Sequence, residues 1–227
     1  HYERYNDAVR KVIPEYGNEW KSKIVTSSVL ERRQFTHFSI IAQSPENRII
    51  KKRLPLEPYL EIIAATNFKQ RTRKMLEYYH ADRLNYAVAG TPNRLEYDQG
   101  FFVKNGDGSA DVKPIAHLYK SQVYQLADFL KIPAEIRNRP PTTDTYSLSQ
   151  GQDEFYFSLS NEKMDLCLYG KNNNIPASVV AGAVELTAEQ IQLVFEDIDT
   201  KRSTTRYLHS PPLLVEEVPE IFRADKS

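Results

Sequence analysis

The 227-residue chain has one cysteine, no net charge and no long apolar run. A single cysteine, Cys167, excludes an internal disulfide and a cysteine-rich metal site. No stretch approaches the roughly 18 to 20 apolar residues that a membrane helix needs. Thirty basic residues balance thirty acidic ones, which disfavours binding to nucleic acid or anionic lipid through a global basic field. Since no signal-peptide pattern is present either, we expect a cytoplasmic protein with neither nucleic acid nor membrane as a partner.

The first 66 residues predict a helix followed by a β-hairpin. The helix covers Glu3–Ile13. The segments Phe35–Gln43 and Arg48–Leu54 are rich in aromatic and β-branched residues, and the turn sequence Ser44–Asn47 separates them. This region contains no chemical motif, so its use remains open.

Helical and strand-like patterns alternate in the middle of the chain. Asn67–Arg83 predicts a helix with one buried stripe, formed by Phe68, Thr72, Met75, Leu76 and Tyr79. The nearly all-apolar run Leu84–Gly90 favours a strand that is covered on both faces in a parallel sheet. His117–Leu130 predicts a second helix that ends before Pro133, with a stripe of Tyr119, Val123, Leu126 and Leu130.

Three helices are predicted near the carboxyl end of the chain. The first covers Glu162–Gly170 and is stopped by Gly170, and the second lies around Ala177–Leu186. The third, Ala188–Arg202, starts with a T-x-x-Q capping box and buries Ile191, Val194, Phe195 and Ile198. Helix packing is favoured over a DNA-reading helix-turn-helix, because the chain has no net charge.

Candidate ligand-binding residues follow the predicted strand. Ligands of open parallel sheets bind beyond the carboxyl ends of the strands, where Gly90 and Thr91 stand. The next segment, Pro92–Asp111, gathers both signs of charge in Glu96, Lys104, Asp107 and Asp111. Such a segment surrounds a polar ligand or forms an ordinary solvated surface loop, and composition leaves both interpretations open.

Five short motifs in order decide between these interpretations. They are N-x-x-x-R from Asn67, G-T-x-N-x-x-E from Gly90, F-F-x-K-x-G-D-G-x-A-D from Phe101, L-Y-K from Leu118, and PPTT from Pro140 followed by GQDE. With this order and spacing the chain resembles the ammonia-dependent NAD synthases, members of the adenine-nucleotide α-hydrolase-like group. The resemblance is close from Asn67 to about Glu154 and looser to about Pro212.

The resemblance implies an α/β fold with a Rossmann-like, doubly wound parallel sheet. The N-terminal strands of that sheet are absent from this sequence, and a β-hairpin insertion and a helical C-terminal region complete the fold. We expect residues 1–66 to form the helix and hairpin elaboration, 67–212 the C-terminal part of the synthase-like domain, and 213–227 a tail.

The implied activity is a ligase reaction in which ATP adenylates the nicotinate carboxylate of deamido-NAD and ammonia then forms the amide. By the motifs, Thr91, Lys120 and Thr142 contact ATP, with the adjacent Thr143 as an open alternative to Thr142. Glu96 is implied as a Mg²⁺ ligand. The residues implied to hold deamido-NAD are Arg71, Tyr78, Lys104 and Asp111. A homodimer is also implied, because the family's dinucleotide site lies at the subunit interface.

The sequence departs from the family in its phosphate loop. A Ser-Gly-Gly-x-Asp-Ser sequence, which surrounds pyrophosphate with backbone N–H groups, is absent, and the chain starts at His1. We therefore expect a fragment of a longer synthase. The alternatives are a non-catalytic nucleotide-binding or dimerisation module and a chain that receives its loop from a partner. Another ATP-pyrophosphatase-type enzyme, a sulfur or guanine-amide transferase, is disfavoured by the F-F-x-K motif.

Three further assignments concern residues outside these motifs. The family's basic tail motif has only Arg206 and His209 as stand-ins. His117 is expected to be structural, and Cys167 to be a buried small hydrophobic residue. Whether free ammonia or a glutaminase partner supplies the nitrogen remains open.

Overall fold

The computed structural model describes residues 1–26, 30, 37–143, 145–216 and 218, and it shows an antiparallel sheet followed by a mainly helical region. The strands are β1 (Lys21–Thr26), β2 (Phe38–Gln43) and β3 (Ile49–Arg53). The helices are α1 (Tyr2–Arg10), α2 (Leu56–Leu84), α3 (Arg94–Gln99), α4 (Lys120–Phe129), α5 (Ala134–Arg137), a π-helical turn (Asp153–Phe157), α6 (Asn161–Asn172), α7 (Ala177–Val184) and α8 (Ala188–His209). No helix in the described ranges has the length and apolar character to cross a membrane.

The predicted β-hairpin is confirmed. The sheet order is β1-β2-β3 with both pairs antiparallel, and Gln43 lies opposite Ile49 at the closed end of the hairpin. Asn47 closes the turn with a φ of 64°, and its amide donates to the carbonyl of Ser44 at 3.0 Å. Asparagine is one of the few residues that enter this left-handed region readily, which explains its place there. Residues 35 and 36 of the predicted first strand lie outside the described residues.

The sheet packs on the helices through one face. Ile24 of β1 and Ile40 of β2 are completely buried and share a cluster with Val9 of α1 and Ile62 of α2. Alternation along β2 sends Ile40 and Ala42 to this cluster, as expected for a strand with one covered face. The hairpin is therefore fixed against the first turns of α2.

Helix α2 differs from its prediction in its start and in its buried face. It begins at Leu56 rather than Asn67, so it runs through position 66, and Asn85 ends it in a left-handed conformation with φ 54°. The predicted buried stripe is wrong, since Phe68 is 53% and Met75 70% exposed. The helix instead buries Pro58, Ile62, Ala65, Thr66, Lys74 and Ala81. Periodicity identifies an apolar face, but what covers that face depends on tertiary packing, and here Ile62 rather than the predicted stripe packs against α1.

The α/β class is confirmed, but the predicted strand Leu84–Gly90 is not formed in the described part of the chain. Its parallel pairing is a single bridge between Ala89 and Val112, and the amide of Gly90 donates to the carbonyl of Val112 at 2.8 Å. Val88 is buried, but Leu84 is 48% and Tyr86 72% exposed, so the predicted covering of this run on both faces is wrong. The segment runs parallel to its partner at this one bridge, but a regular strand requires several consecutive bridges.

Helix α4 starts at Lys120, three residues after the predicted start at His117, and ends at Phe129. The predicted burial of its apolar stripe is wrong, because Leu126 is 38% and Leu130 58% exposed. Helix α4 has no fully buried residue. Its first turn is nevertheless well fixed, through contacts with α6 that are described below.

The main core lies among α6, α7 and α8. Thr187 and Gln190 form the predicted capping box, and the predicted stripe of α8 is buried, so both predictions are confirmed. Helix α8 extends to His209 rather than Arg202. Gly170 does not stop α6, which continues to Asn172; a Cβ at Gly170 would overlap Cγ2 of Val180 on α7. The glycine therefore permits close packing of two helices instead of ending one.

Candidate active site

A cavity of about 1110 Å³ lies between the hairpin, α2, α3, the π-helical turn and α8. All four residues predicted to contact ATP or a metal ion line this cavity: Thr91, Glu96, Lys120 and Thr142. Thr143 lines it as well. Three segments that are distant in sequence thus converge on one space, as the motifs imply, while the roles of these residues toward a ligand stay predictions.

Glu96 is held in place by two neighbours, Asn93 and Gln152. The amide of Asn93 donates to Oε2 of Glu96 at 2.9 Å, and the amide of Glu96 donates to the Asn93 side chain at 3.3 Å, which forms a capping box at the start of α3. Nε2 of Gln152 donates to Oε1 of Glu96 at 2.8 Å. The carboxylate is half-buried at the cavity wall. Its orientation is therefore set before any ligand binds.

Lys120 stands on the first turn of α4, and a buried carboxylate from another helix caps that turn. The amides of Lys120 and Ser121 donate to Asp165 of α6 at 3.1 and 2.7 Å. Asp165 is only 5% exposed. A carboxylate at a helix N-terminus satisfies free N–H groups and favours the helix dipole. Lys120 is half-buried and lines the same cavity as Glu96 and Thr91.

Thr142 and Thr143 are fixed by the segment that follows them. Thr142 forms an antiparallel bridge with Gly151, and the amide of Thr143 donates to the carbonyl of Gln150 at 2.9 Å. The Thr143 hydroxyl is buried without a hydrogen-bond partner among the described residues, whereas Thr142 is exposed. Both residues line the cavity, and Thr142 as an ATP contact, with Thr143 as its alternative, stays a prediction.

The residues predicted to hold deamido-NAD do not line this cavity. They form two contacting pairs between α2 and the loop 101–111. Nε of Arg71 donates to the carbonyl of Lys104 at 3.1 Å, and the Tyr78 hydroxyl donates to Oδ1 of Asp111 at 3.4 Å. Desolvation and the neighbouring Asp111 carboxylate raise the pKa of Tyr78. The four residues thus lie on one outer surface, and their binding role stays a prediction.

The end of α8 rests on this same loop. The ammonium of Lys104 donates to the carbonyls of Tyr207 and Ser210 at 2.9 and 3.2 Å. His209 lies edge-on to Tyr97 and Phe102, with ring centroids 4.7 and 5.1 Å away. Burial lowers the pKa of His209, and the nearby Lys113 charge lowers it further. His209 is therefore engaged in packing here.

The other stand-in for the basic tail motif, Arg206, is exposed on α8. His117 is exposed and lies just before α4. Cys167 is completely buried, as predicted, and burial raises the pKa of its thiol to about 11. None of the three lines the cavity.

Sequence reasoning missed a charged pair that lines the cavity. Nζ of Lys201 donates to Oδ2 of Asp197 and to the carbonyl of Tyr156, both at 2.6 Å, and lies 4.5 Å from the centre of the Tyr156 ring. Burial lowers the pKa of Lys201, and Asp197 opposes that shift. The sequence signal is that Asp197 and Lys201 are four positions apart on α8, a spacing that usually indicates a solvent-exposed ion pair.

Comparisons with known proteins identify the family of this chain. The family model described as NAD synthase matches residues 13–207. The chain is 60% identical over 220 residues to the NH(3)-dependent NAD(+) synthetase of Rhizobium meliloti, covering 97% of this chain and 66% of that protein. It is 58% identical to the enzyme of the same name from Mesorhizobium japonicum, covering 96% of this chain and 69% of that protein. The chain thus spans about two thirds of the length of these relatives.

A solved structure shares the fold. The NMN synthetase of Francisella tularensis superposes with a TM-score of 0.54 at 26% identity, over 67% of this chain and 56% of that one. The family model covers far more than half of the chain and includes all four cavity residues from the predicted ATP and metal set. On these grounds the chain belongs to the NAD synthase family.

Proposed function

We propose that this chain takes part in the ATP-dependent amidation of deamido-NAD to NAD. In the first step a carboxylate oxygen of the nicotinate attacks the α-phosphorus of ATP, and the bond to pyrophosphate breaks. In the second step the nitrogen of ammonia attacks the acyl carbon, the bond to AMP breaks and the nitrogen loses a proton. Adenylation is needed because a free carboxylate is a poor electrophile at neutral pH.

The convergence of Thr91, Glu96, Lys120 and Thr142 on one cavity is the observation that carries this proposal. Phosphoryl chemistry depends on positioning and on charge stabilisation, which hydroxyl, ammonium and carboxylate groups supply. The names of the 60% and 58% identical relatives support the same reaction.

Glu96 fits a magnesium ion that is shared with substrate phosphates. Each of its oxygens accepts one hydrogen bond, which leaves further acceptor capacity on both. The described residues contain no group of three or more His, Cys, Asp or Glu side chains that could hold a metal. Mg²⁺ is usually bound by one or two carboxylates together with phosphates and water, so a single carboxylate is sufficient. A bound Mg²⁺ offsets phosphate charge as pyrophosphate departs.

Deamido-NAD is proposed to bind across the surface formed by Arg71, Tyr78, Lys104 and Asp111. Arginine and lysine suit its phosphates, and tyrosine offers a ring for stacking. The exposed apolar residues Phe68, Met75, Leu76 and Tyr79 lie on the same helix as Arg71 and Tyr78. A homodimer through α2 would cover them, and this is part of the proposal. A cytoplasmic location, where ATP is available, is proposed with it.

The test uses the full-length protein with deamido-NAD, ATP, Mg²⁺ and ammonium. We expect NAD, AMP and pyrophosphate in equal amounts, and exchange of labelled pyrophosphate into ATP that requires deamido-NAD but no ammonia. Lys120→Met should lower both rates by about 10². The control, Lys51→Met, removes an exposed lysine of β3 and should leave both unchanged. Binding of ATP without exchange or NAD formation would identify a non-catalytic nucleotide-binding module.

The same experiment should include a second substrate, because a similar solved structure is that of an NMN synthetase. The fold of the Francisella tularensis protein, an NMN synthetase, is similar to this one. Nicotinate mononucleotide should therefore be compared with deamido-NAD by kcat/KM. A higher value for the mononucleotide would replace the proposed dinucleotide substrate with that one.

A further inference from the structure

An ion pair joins the last helix to the short helix that carries Glu96. Nε of Arg202 on α8 donates to Oδ1 of Asp98 on α3 at 2.6 Å, and Nη2 donates to Oδ2 at 2.8 Å. Nη2 also donates to the side chain of Asn172 at the end of α6. The side chains of Asp98 and Arg202 are only 17% and 33% exposed. A contact in which arginine binds both carboxylate oxygens fixes the orientation of the two groups as well as their separation.

Close packing fixes the end of α3 against the same helix. Gly100 ends α3 with a φ of 72°, and a Cβ at this position would come within 2.3 Å of the Thr205 side chain of α8. The Tyr156 hydroxyl donates to the carbonyl of Gln99 at 2.7 Å, and Lys201 of α8 donates to the carbonyl of Tyr156 at 2.6 Å. Helix α3 therefore cannot slide along α8 without breaking these contacts.

Helix α3 depends on such contacts because it is short. It has six residues, which is too few for a helix to be stable through its own hydrogen bonds. Asp98 follows Glu96 by two positions, so the two side chains leave α3 in different directions. Glu96 lines the cavity, whereas Asp98 and Arg202 do not. Arg202 thus holds α3 from outside the cavity.

The neighbours of the Glu96 carboxylate do not connect α3 to the main core. Asn93 is the cap residue of α3 and moves with that helix. The bond from Gln152 reaches the end of the Glu96 side chain and not the backbone of α3. The ion pair of Arg202 instead connects α3 to α8, whose apolar stripe is packed in the main core. The position of Glu96 relative to that core is therefore set through Asp98.

We propose that Arg202 is a positioning residue for the Mg²⁺ site, because it fixes α3 through Asp98 and α3 places the Glu96 carboxylate in the cavity. This inference rests on the proposed function, in which Glu96 holds Mg²⁺ together with substrate phosphates. A group that binds a metal ion must be held within about 0.5 Å of its working position. Residues that orient a metal ligand commonly change metal affinity by about 10- to 100-fold when they are substituted.

The experiment measures ATP binding by the full-length protein, so that it does not depend on turnover. Titration calorimetry gives the Kd of ATP across a series of Mg²⁺ concentrations and in EDTA, for wild type, Arg202→Met and Arg202→Lys. For Arg202→Met we expect the Mg²⁺ concentration that gives half of the tightening of ATP binding to rise about tenfold, with the Kd in EDTA unchanged. Arg202→Lys keeps the charge but loses the double contact, so its shift should be smaller.

Two matched controls and one rescue separate positioning from stability. Asp199→Asn breaks an ion pair between α8 and Lys171 of α6, and it should leave the Mg²⁺ requirement unchanged. Val180→Ala removes buried packing between α7 and α6, so it should lower the melting temperature without changing the Mg²⁺ requirement. The double variant Asp98→Arg with Arg202→Asp reverses the ion pair and should recover most of the lost Mg²⁺ affinity. Melting curves of every variant accompany the titrations.

A lower melting temperature of Arg202→Met with an unchanged Mg²⁺ requirement would show that the ion pair serves stability alone, and it would overturn the inference. The same shift in Val180→Ala would overturn it as well. Glu96→Gln should shift the Mg²⁺ requirement at least as far as Arg202→Met does, and a normal requirement in Glu96→Gln would overturn the inference together with the proposed metal role. The expected shifts in a protein that forms no NAD would keep the inference and reject the proposed amidation alone.

Discussion

Gln152 donates a hydrogen bond of 2.8 Å to Oε1 of Glu96, and it thereby joins the segment after Thr143 to the start of α3. The other oxygen of the same carboxylate accepts from the Asn93 amide at 2.9 Å. Glu96 therefore has two separable functions in this fold: it caps a helix through its oxygens, and it presents a negative charge to the cavity.

Glu96→Gln separates these functions. The variant keeps an oxygen for the helix cap and loses the charge, so NAD formation by the full-length protein should fall about 10² to 10³ and need a higher Mg²⁺ concentration to reach half its maximal rate. The side-chain amide of Gln152 can turn so that its oxygen accepts from the new N–H donor, and the free energy of unfolding should therefore change by less than about 0.5 kcal/mol. Steady-state rates across a Mg²⁺ titration and a melting curve measure both effects.

Glu96→Ala is the matched comparison. It removes the cap as well as the charge and should lower the free energy of unfolding by about 1 kcal/mol. An unchanged rate and unchanged Mg²⁺ dependence in Glu96→Gln would take Glu96 out of the metal site.

Short-range patterns predicted structure better than long apolar stripes did. Thr187 and Gln190 cap α8 as expected, because a capping box is decided within four residues. The same pattern in Asn93 and Glu96 would have revealed α3, which no periodic stripe announces. The stripe through Phe68 and other residues of α2 is exposed, since burial depends on which element covers a face.

Some residues of the candidate site could be predicted from the sequence and others could not. Motif residues such as Thr91 and Lys120 reach one cavity, and their positions could be expected from a family resemblance. Lys201 could not, because its burial comes from packing against Tyr156, which is remote in sequence. The stacking of Phe38 on Tyr59 could not be predicted either, since these two rings meet only through the packing of the hairpin on α2.

Two glycines in neighbouring helices should respond oppositely to alanine. At Gly170 a Cβ would overlap Cγ2 of Val180, so Gly170→Ala should lower the free energy of unfolding by about 1 to 3 kcal/mol. At Gly182 in α7 a Cβ meets nothing within 4 Å, and Gly182→Ala should raise it by about 0.5 to 1 kcal/mol. Urea denaturation of the two variants measures both values. Equal effects of one sign would contradict the close packing of α6 on α7.

Cys167 should affect stability at high pH without affecting catalysis. Burial raises its pKa to about 11 from an ordinary value of 9.0. Between these values the unfolded chain loses the thiol proton while the folded chain keeps it, so the free energy of unfolding falls as pH rises from about 9 to about 11. Below pH 9 both states hold the proton and the effect is absent.

Cys167→Ala isolates this contribution. Relative to the variant, wild type should lose about 1 to 3 kcal/mol over that pH range, measured by urea denaturation at each pH. The ammonia-dependent rate of the full-length variant should match wild type, because the thiol does not line the cavity. A thousandfold lower rate in a folded variant would instead give the thiol a direct role.

Asp165 should link the stability of α4 to ATP binding. Its buried carboxylate accepts from the amides of Lys120 and Ser121 at 3.1 and 2.7 Å. Asp165→Asn removes the charge that favours the helix N-terminus and replaces one acceptor oxygen with a donor, so the free energy of unfolding should fall by about 1 to 2 kcal/mol. Since Lys120 stands on that turn, the Kd for ATP should rise several-fold in the full-length protein. The control is Asp199→Asn on α8. This variant removes an exposed carboxylate that pairs with Lys171 of α6, and it should lower the free energy of unfolding by less than about 0.5 kcal/mol. Lower stability with an unchanged Kd for ATP would separate the cap from the Lys120 ammonium and show that the first turn of α4 does not set its position.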